Sequence, residues 1–254
     1  MDSPDLKTPD FYINRELSLL EFNQRVLAQA LDDSVPLLER LRFLSIASSN
    51  LDEFFEIRVA GLKQLFELGS GPLAPDAMSI TEQLNAIHTR AQLLVADQYH
   101  CLNEVLLPAL QERGIRLLGR KEWSPDLERW LEQYFEHEIE PVLSPLGLDP
   151  ARPFPRIQNK SLNFIVRLRG KDAFGRDSEL AIVQAPRSLP RVVPTPATGG
   201  NAGAFVLLSA IVHAFVRKLF AGIEVLGCYQ FRVTRNSDLF VDEEEIDDLR
   251  RAQN

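Results

Sequence analysis

Leu162-Asn163-Phe164-Ile165-Val166-Arg167-Leu168-Arg169 is the stretch at which the chain changes period. Leu162, Phe164, Val166 and Leu168 fall on one side, and Asn163, Ile165, Arg167 and Arg169 on the other. That two-residue alternation belongs to a strand with one buried face. Upstream, apolar residues recur at three- and four-residue intervals, the helical period. Downstream, Leu180 to Val183 reads as a second short strand, and Phe205 to Phe220 as a short strand, a buried helix, or the two in turn. Tyr229, Phe231 and Val233 alternate with Gln230, Arg232 and Thr234, which gives another strand. The fold class is therefore α+β. An all-α domain is expected over residues 1–115, followed over 116–254 by a smaller α+β domain with a mostly antiparallel sheet.

Working back from the strand, residues 141–157 hold five prolines and predict no regular element. Ser124-Pro125-Asp126 opens a helix to about Ile139. Before it, Ile80, Leu84, Ile87, Ala91, Leu94, Cys101 and Val105 form a seam along one long helix, which Pro108 disturbs. Ser79-Ile80-Thr81-Glu82 supplies its capping box. Further toward the N-terminus, Ser18-Leu19-Leu20-Glu21 is a second capping box, predicting a helix from Ser18 to about Leu31. Ser34 and Pro36 open another helix with Leu37, Leu41, Leu44 and Ala47 on one face, and Asn50 starts a third. Two Pro/Gly-rich stretches, Gly69 to Pro75 and residues 187–203, read as loops. At the far end, Asp242-Glu243-Glu244-Glu245 resembles the start of a helix cut short at Asn254, as in a fragment of a longer protein.

The composition narrows the function classes. The chain has 254 residues, 45% of them hydrophobic, enough to bury a sizeable core. Its 28 basic and 36 acidic side chains give a net charge of -8, which argues against a general nucleic-acid binder. Cys101 and Cys228 lack disulfide-framework or metal-ligand spacing and suit a reducing compartment. No secretory signal and no membrane-spanning segment is visible, so a cytoplasmic protein is expected.

Catalytic motifs are missing from the pattern. There is no phosphate-binding Gly-x-x-x-x-Gly-Lys-Ser/Thr loop and no dinucleotide fingerprint after a strand. The four histidines, His88, His100, His137 and His213, have no metal-ligand spacing, and His213 reads as a core residue in an apolar run. Residues 151–171 do form a basic stretch without a single acid: Arg152, Arg156, Lys160, Arg167, Arg169 and Lys171. Arg167 and Arg169 share a strand face, and Arg232 lies on the polar face of another strand. Together they either guide an anionic chain or form an ordinary solvated sheet face.

Three stretches together carry a family resemblance. They are Phe11 to Leu27, then Glu39 to Phe55 with its continuation Arg58-Val59-Ala60-Gly61-Leu62, then Phe154-Pro155-Arg156-Ile157 through Asn159-Lys160-Ser161-Leu162-Asn163, with Phe231 to Leu239 beyond. In this order they resemble the polyphosphate kinases that work through a phosphohistidine. Leu19 departs from the pattern, standing where that family usually has tryptophan. The resemblance implies a helical N-terminal domain and a head domain. The phosphorylated histidine, the Mg2+-binding arginines and most nucleotide contacts would lie outside this chain, so no catalytic residue and no metal ligand is assigned within it. It further implies ATP/ADP and polyphosphate as partners and a homo-oligomeric parent enzyme, with no nucleic acid. One role transfers by motif: the asparagine before Leu51-Asp52-Glu53-Phe54, here Asn50, would contact ATP. Asn50 also reads as a helix N-cap, and the two roles are compatible. The alternative is a non-catalytic assembly module in which Asn50 only caps.

Overall fold

The computed structural model describes residues 8–69, 76–148, 153–170, 179–197 and 203–236. The described residues divide into two compact units, residues 8–106 with 234–236 and residues 107–233. The architecture is α+β, with helices first and the strands after them.

The first unit is helical. Helix α1 runs Arg15–Leu31 and is capped by Asn14, whose Oδ1 accepts from the backbone N–H of Glu16 and Leu17, both at 3.0 Å. The expected start at Ser18 is therefore corrected: Ser18 lies inside the helix, one turn late. Helix α2 (Leu37–Glu53) continues without a break through a wider π-type turn, Phe54–Val59, into α3 (Ala60–Glu67). Asn50 is thus in the interior of α2 and starts no helix, a second correction. Helix α4 (Ile80–His100) has the predicted Ser79/Glu82 capping box. It ends in a π-type turn, Cys101–Leu106, and α5 (Leu107–Glu112), which follows in sequence, belongs to the second unit. That turn slips the seam by one position, so Leu106 is buried in place of the expected Val105. Pro108 explains the slip, since it has no N–H for the carbonyl of Glu104. Leu20, Leu27 and Ala30 of α1 pack with Leu44, Ala47 and Leu51 of α2 and Ile87, Ala91 and Leu94 of α4.

The second unit carries the sheets. Its elements are β1 (Arg116–Leu117), α6 (Pro125–Tyr134), β2 (Pro145–Gly147), β3 (Leu162–Arg169), β4 (Leu180–Ala185), β5 (Val192–Pro194), β6 (Ala204–Leu207), α7 (Leu208–Phe215) and β7 (Glu224–Phe231). Strands β2-β4-β3-β7 form an antiparallel sheet. A second sheet, β1-β6-β5, pairs β1 with β6 in parallel and β5 with β6 antiparallel. Phe164, Val166 and Leu168 of β3 are buried as the alternation predicts, in one core with Val183, Leu131, Phe135, Ile211 and Phe215.

Three details differ from the sequence expectations. Pro145-Leu146-Gly147 does form a strand, but at the sheet edge, where a proline without an N–H is tolerated. Val192–Pro194 forms a short strand inside the expected loop. Asn163, on the nominally polar face of β3, is fully buried, and its Nδ2 donates to Ser161 O and Oγ, each at 2.9 Å. The glycine-rich residues 198–202 and the acidic run at 242–248 lie outside the described residues.

Candidate functional site

Asn50 reaches across from α2 to α1. Its Nδ2 donates to Asn23 Oδ1 at 3.3 Å, and Asn23 Nδ2 donates to the Ala47 carbonyl at 2.8 Å. Asn23 is buried, with 4% of its surface exposed, whereas Asn50 is half-buried. About two turns further, in the π-type turn, Arg58 meets Glu16 with two parallel hydrogen bonds of 2.9 and 2.6 Å. The Glu16 carboxylate raises the Arg58 pKa above its ordinary value. It also ties the wide turn to the first turn of α1, across 42 residues of sequence.

These groups border one cavity of about 360 Å³, lined by Leu19, Leu20, Phe22, Asn23, Asn50, Glu53, Phe54, Ile57 and Arg58. Phe22, Ile57 and Leu19 expose roughly half of their surface toward solvent (51%, 45% and 40%). The result is an apolar wall beside a carboxamide and a guanidinium. That combination suits a flat, polar-edged ring. Asn23, Glu16, Phe22 and Arg58 were not singled out by the sequence. One signal was available: in the spacing Leu20, Asn23, Leu27, Ala30, an asparagine occupies a position on the buried stripe.

The basic residues are spread over the second unit. Arg167 and Arg169 line a cavity of about 510 Å³ with Gly170, Glu179, Leu180 and Leu226. Arg169 Nη1 lies 3.4 Å from Glu224 Oε2, so its charge is partly met. Arg232 follows the last residue of β7, which pairs with Asn163 at the opposite end of β3 from Arg169. Six residues of strand, about 20 Å, separate the two ends, so the structure does not gather the three arginines at one point. Arg152 and Lys171 lie outside the described residues.

The histidines are dispersed. His88, His100 and His137 are exposed, and His137 Nδ1 lies 2.8 Å from the Gln133 carbonyl. His213 is corrected from a core residue to an exposed one. Its ring stands edge-on to Phe164 at 5.7 Å, and this partial burial lowers its pKa. Among the described residues no three His, Cys, Asp or Glu side chains converge in a way that fits a metal ion.

Comparison with known proteins gives the geometry its family. Residues 12–118 match the model of the polyphosphate kinase N-terminal domain, and residues 126–254 that of the polyphosphate kinase middle domain. The chain belongs to the polyphosphate kinase family. A polyphosphate kinase of Xylella fastidiosa is 57% identical over 252 residues, covering 98% of this chain and 36% of the relative. One of Pseudomonas putida is 54% identical over 250 residues, covering 98% and 34%. A crystal structure of the polyphosphate kinase from Porphyromonas gingivalis superposes with a TM-score of 0.77 at 31% identity, over 91% of this chain and 34% of that one. The chain thus spans about a third of the length of the polyphosphate kinases it matches. No described helix is long and apolar enough to cross a membrane.

Proposed function

We propose that this chain is the nucleotide-contacting, non-catalytic portion of a cytoplasmic, homo-oligomeric polyphosphate kinase. The whole enzyme reversibly transfers the γ-phosphoryl group of ATP to polyphosphate through a phosphohistidine outside these residues, with Mg2+ bound there too. Phosphoryl transfer of this kind is chiefly positioning and charge stabilisation, and a remote wall that holds the base contributes to positioning. The observation that carries the reading is the Asn50 carboxamide at the polar edge of the Leu19/Phe22/Ile57 cavity. An amide offers a donor and an acceptor side by side, the complement of the adenine edge. Arg167, Arg169 and Arg232 are proposed as guides for the polyphosphate chain.

The assembly-module alternative had Asn50 as a cap and nothing more. With Asn50 inside α2, capping no longer accounts for it. The test is Asn50→Ala in the full-length enzyme carrying this segment. ATP affinity measured by titration calorimetry is expected to fall about tenfold, beyond a stability loss of about 1 kcal/mol from leaving the buried Asn23 Oδ1 without its donor. Unchanged ATP affinity would return the chain to the assembly reading.

A further inference from the structure

Asn50 is an amide, and an amide can be turned over. Its two ends exchange donor for acceptor with almost no change of shape. A half-buried asparagine free to rotate would accept either of two opposite hydrogen-bonding patterns. What stands behind Asn50 decides which one it presents.

The backbone carbonyl of Ala47 can only accept. Asn23, 2.8 Å from it, must therefore aim its NH2 at that carbonyl. This directs Asn23 Oδ1 toward Asn50. An oxygen of that kind can only accept in turn, so Asn50 must answer with its own NH2, 3.3 Å away. The chain of three groups has one consistent assignment. Asn23 is 4% exposed, so water has little access to substitute for either partner. Asn50 is left with Oδ1 and its second N–H as the pair available to the cavity.

We propose that Asn23 is a specificity-determining positioning residue, which fixes the Asn50 carboxamide in the orientation that favours a 6-amino purine nucleotide over a 6-oxo one. The proposal rests on the reading that Asn50 faces the base. Adenine presents a donor at position 6 beside an acceptor ring nitrogen. In the same pose guanine presents an acceptor at position 6, with N1–H as donor on one side and N7 as acceptor on the other. Along the edge of position 6 and N1, a locked amide matches adenine and meets guanine with like against like at both contacts, and a freely turning amide answers both bases; along the N7 edge the locked amide loses only its position-6 contact with guanine. Asn23 touches no substrate; it acts through Asn50.

The test uses the full-length enzyme carrying this segment and compares ATP with GTP for three variants. Asn23→Leu removes the amide at similar volume. It leaves the Ala47 carbonyl with its own helical partner, so a fold-breaking orphan is not created. The expected outcome is a fall of roughly tenfold in the ATP:GTP ratio of kcat/KM, through GTP improving as well as ATP weakening. Asn23→Asp is the conservative control. In a buried site its carboxyl is held protonated, donates to Ala47 O and accepts from Asn50, so it should retain the wild-type ratio even if Asn23→Leu fails to fold. Asn50→Ala separates the two layers. If it leaves ATP binding unchanged, the nucleotide role of this cavity fails and the proposal falls with it. If it weakens ATP while folded Asn23→Leu keeps the wild-type ratio, the positioning role alone is overturned. Loss of the ratio in folded Asn23→Asp overturns it equally.

Discussion

Cys228 is a thiol whose protonation is linked to folding. It sits on β7, packed against the core of the second unit, and burial raises its pKa from 9.0 to about 11. The unfolded chain releases this proton near pH 9, and the folded chain only near 11. Between those values the unfolded state holds fewer protons, so stability falls as pH rises. The contribution is whole below pH 9 and is lost on passing about 11. Burial raises the Cys101 pKa as well, with the same sign. Urea unfolding of the wild type and Cys228→Ala from pH 8 to 11 checks this. The variant is expected to begin less stable, from the missing packing, and then to lose less stability than the wild type across the range. Parallel pH profiles would show that the thiol does not carry the effect. Single residues also show where a local sequence window stops being informative. Asn50 could be picked out by motif, but its partner is 27 residues away, and nothing in a local window links it to Asn23.

At the scale of elements, the alternation of Leu162 to Arg169 and the seam of α4 were legible because burial on one face imposes a period. Helix starts were less so. Asn14 and Ser18 both carry side-chain oxygens able to cap, and the Ser18/Glu21 spacing is the better local signal. The chain uses Asn14, because starting one turn earlier places Glu16 against Arg58, a contact made by the tertiary fold. The π-type turns escaped for a related reason: they are register slips in helices whose residues all have helical spacing. Two of them, Cys101–Leu106 and a third that follows α6 at Phe135–Ile139, end two residues before Pro108 and Pro141, where a carbonyl in the preceding turn loses its donor. The start of α1 can be tested directly. Asn14→Ala removes two hydrogen bonds to orphan N–H groups and is expected to cost about 1 kcal/mol. Ser18→Ala, inside the helix, is expected to be neutral or slightly stabilising, since alanine is the better helix former. Chemical denaturation of the two variants distinguishes these outcomes, and a larger loss from Ser18→Ala would restore the later start.

For the whole molecule, charge is the property that sequence composition describes least well. A net charge of -8 excludes a uniformly basic surface, yet Arg167 and Arg169 emerge side by side from β3 at the mouth of a cavity. Their neighbours decide how much of that charge an anion meets. Glu224 faces Arg169 across the β3–β7 pair and Glu179 lines the same cavity, both brought there by strand register across gaps the linear sequence does not bridge. If the cavity guides polyphosphate, an incoming polyanion must compete with Glu224 for Arg169. Reversal of both arginines, Arg167→Glu with Arg169→Glu, is then expected to lower polyphosphate affinity in the full-length enzyme. The slope of log affinity against log salt should become shallower, by about one unit for each phosphate that the protein no longer neutralises. Glu224→Gln should do the opposite and tighten binding, most clearly at low salt where screening is weak. Arg232→Glu, some 20 Å along the sheet, should act independently, its effect adding to that of the pair. A salt slope unchanged in the double reversal would mean that these side chains form only a solvated face of the sheet. Tightening by Glu224→Gln that persists when Arg169 is already reversed would show that the glutamate repels the chain directly and not through its partner.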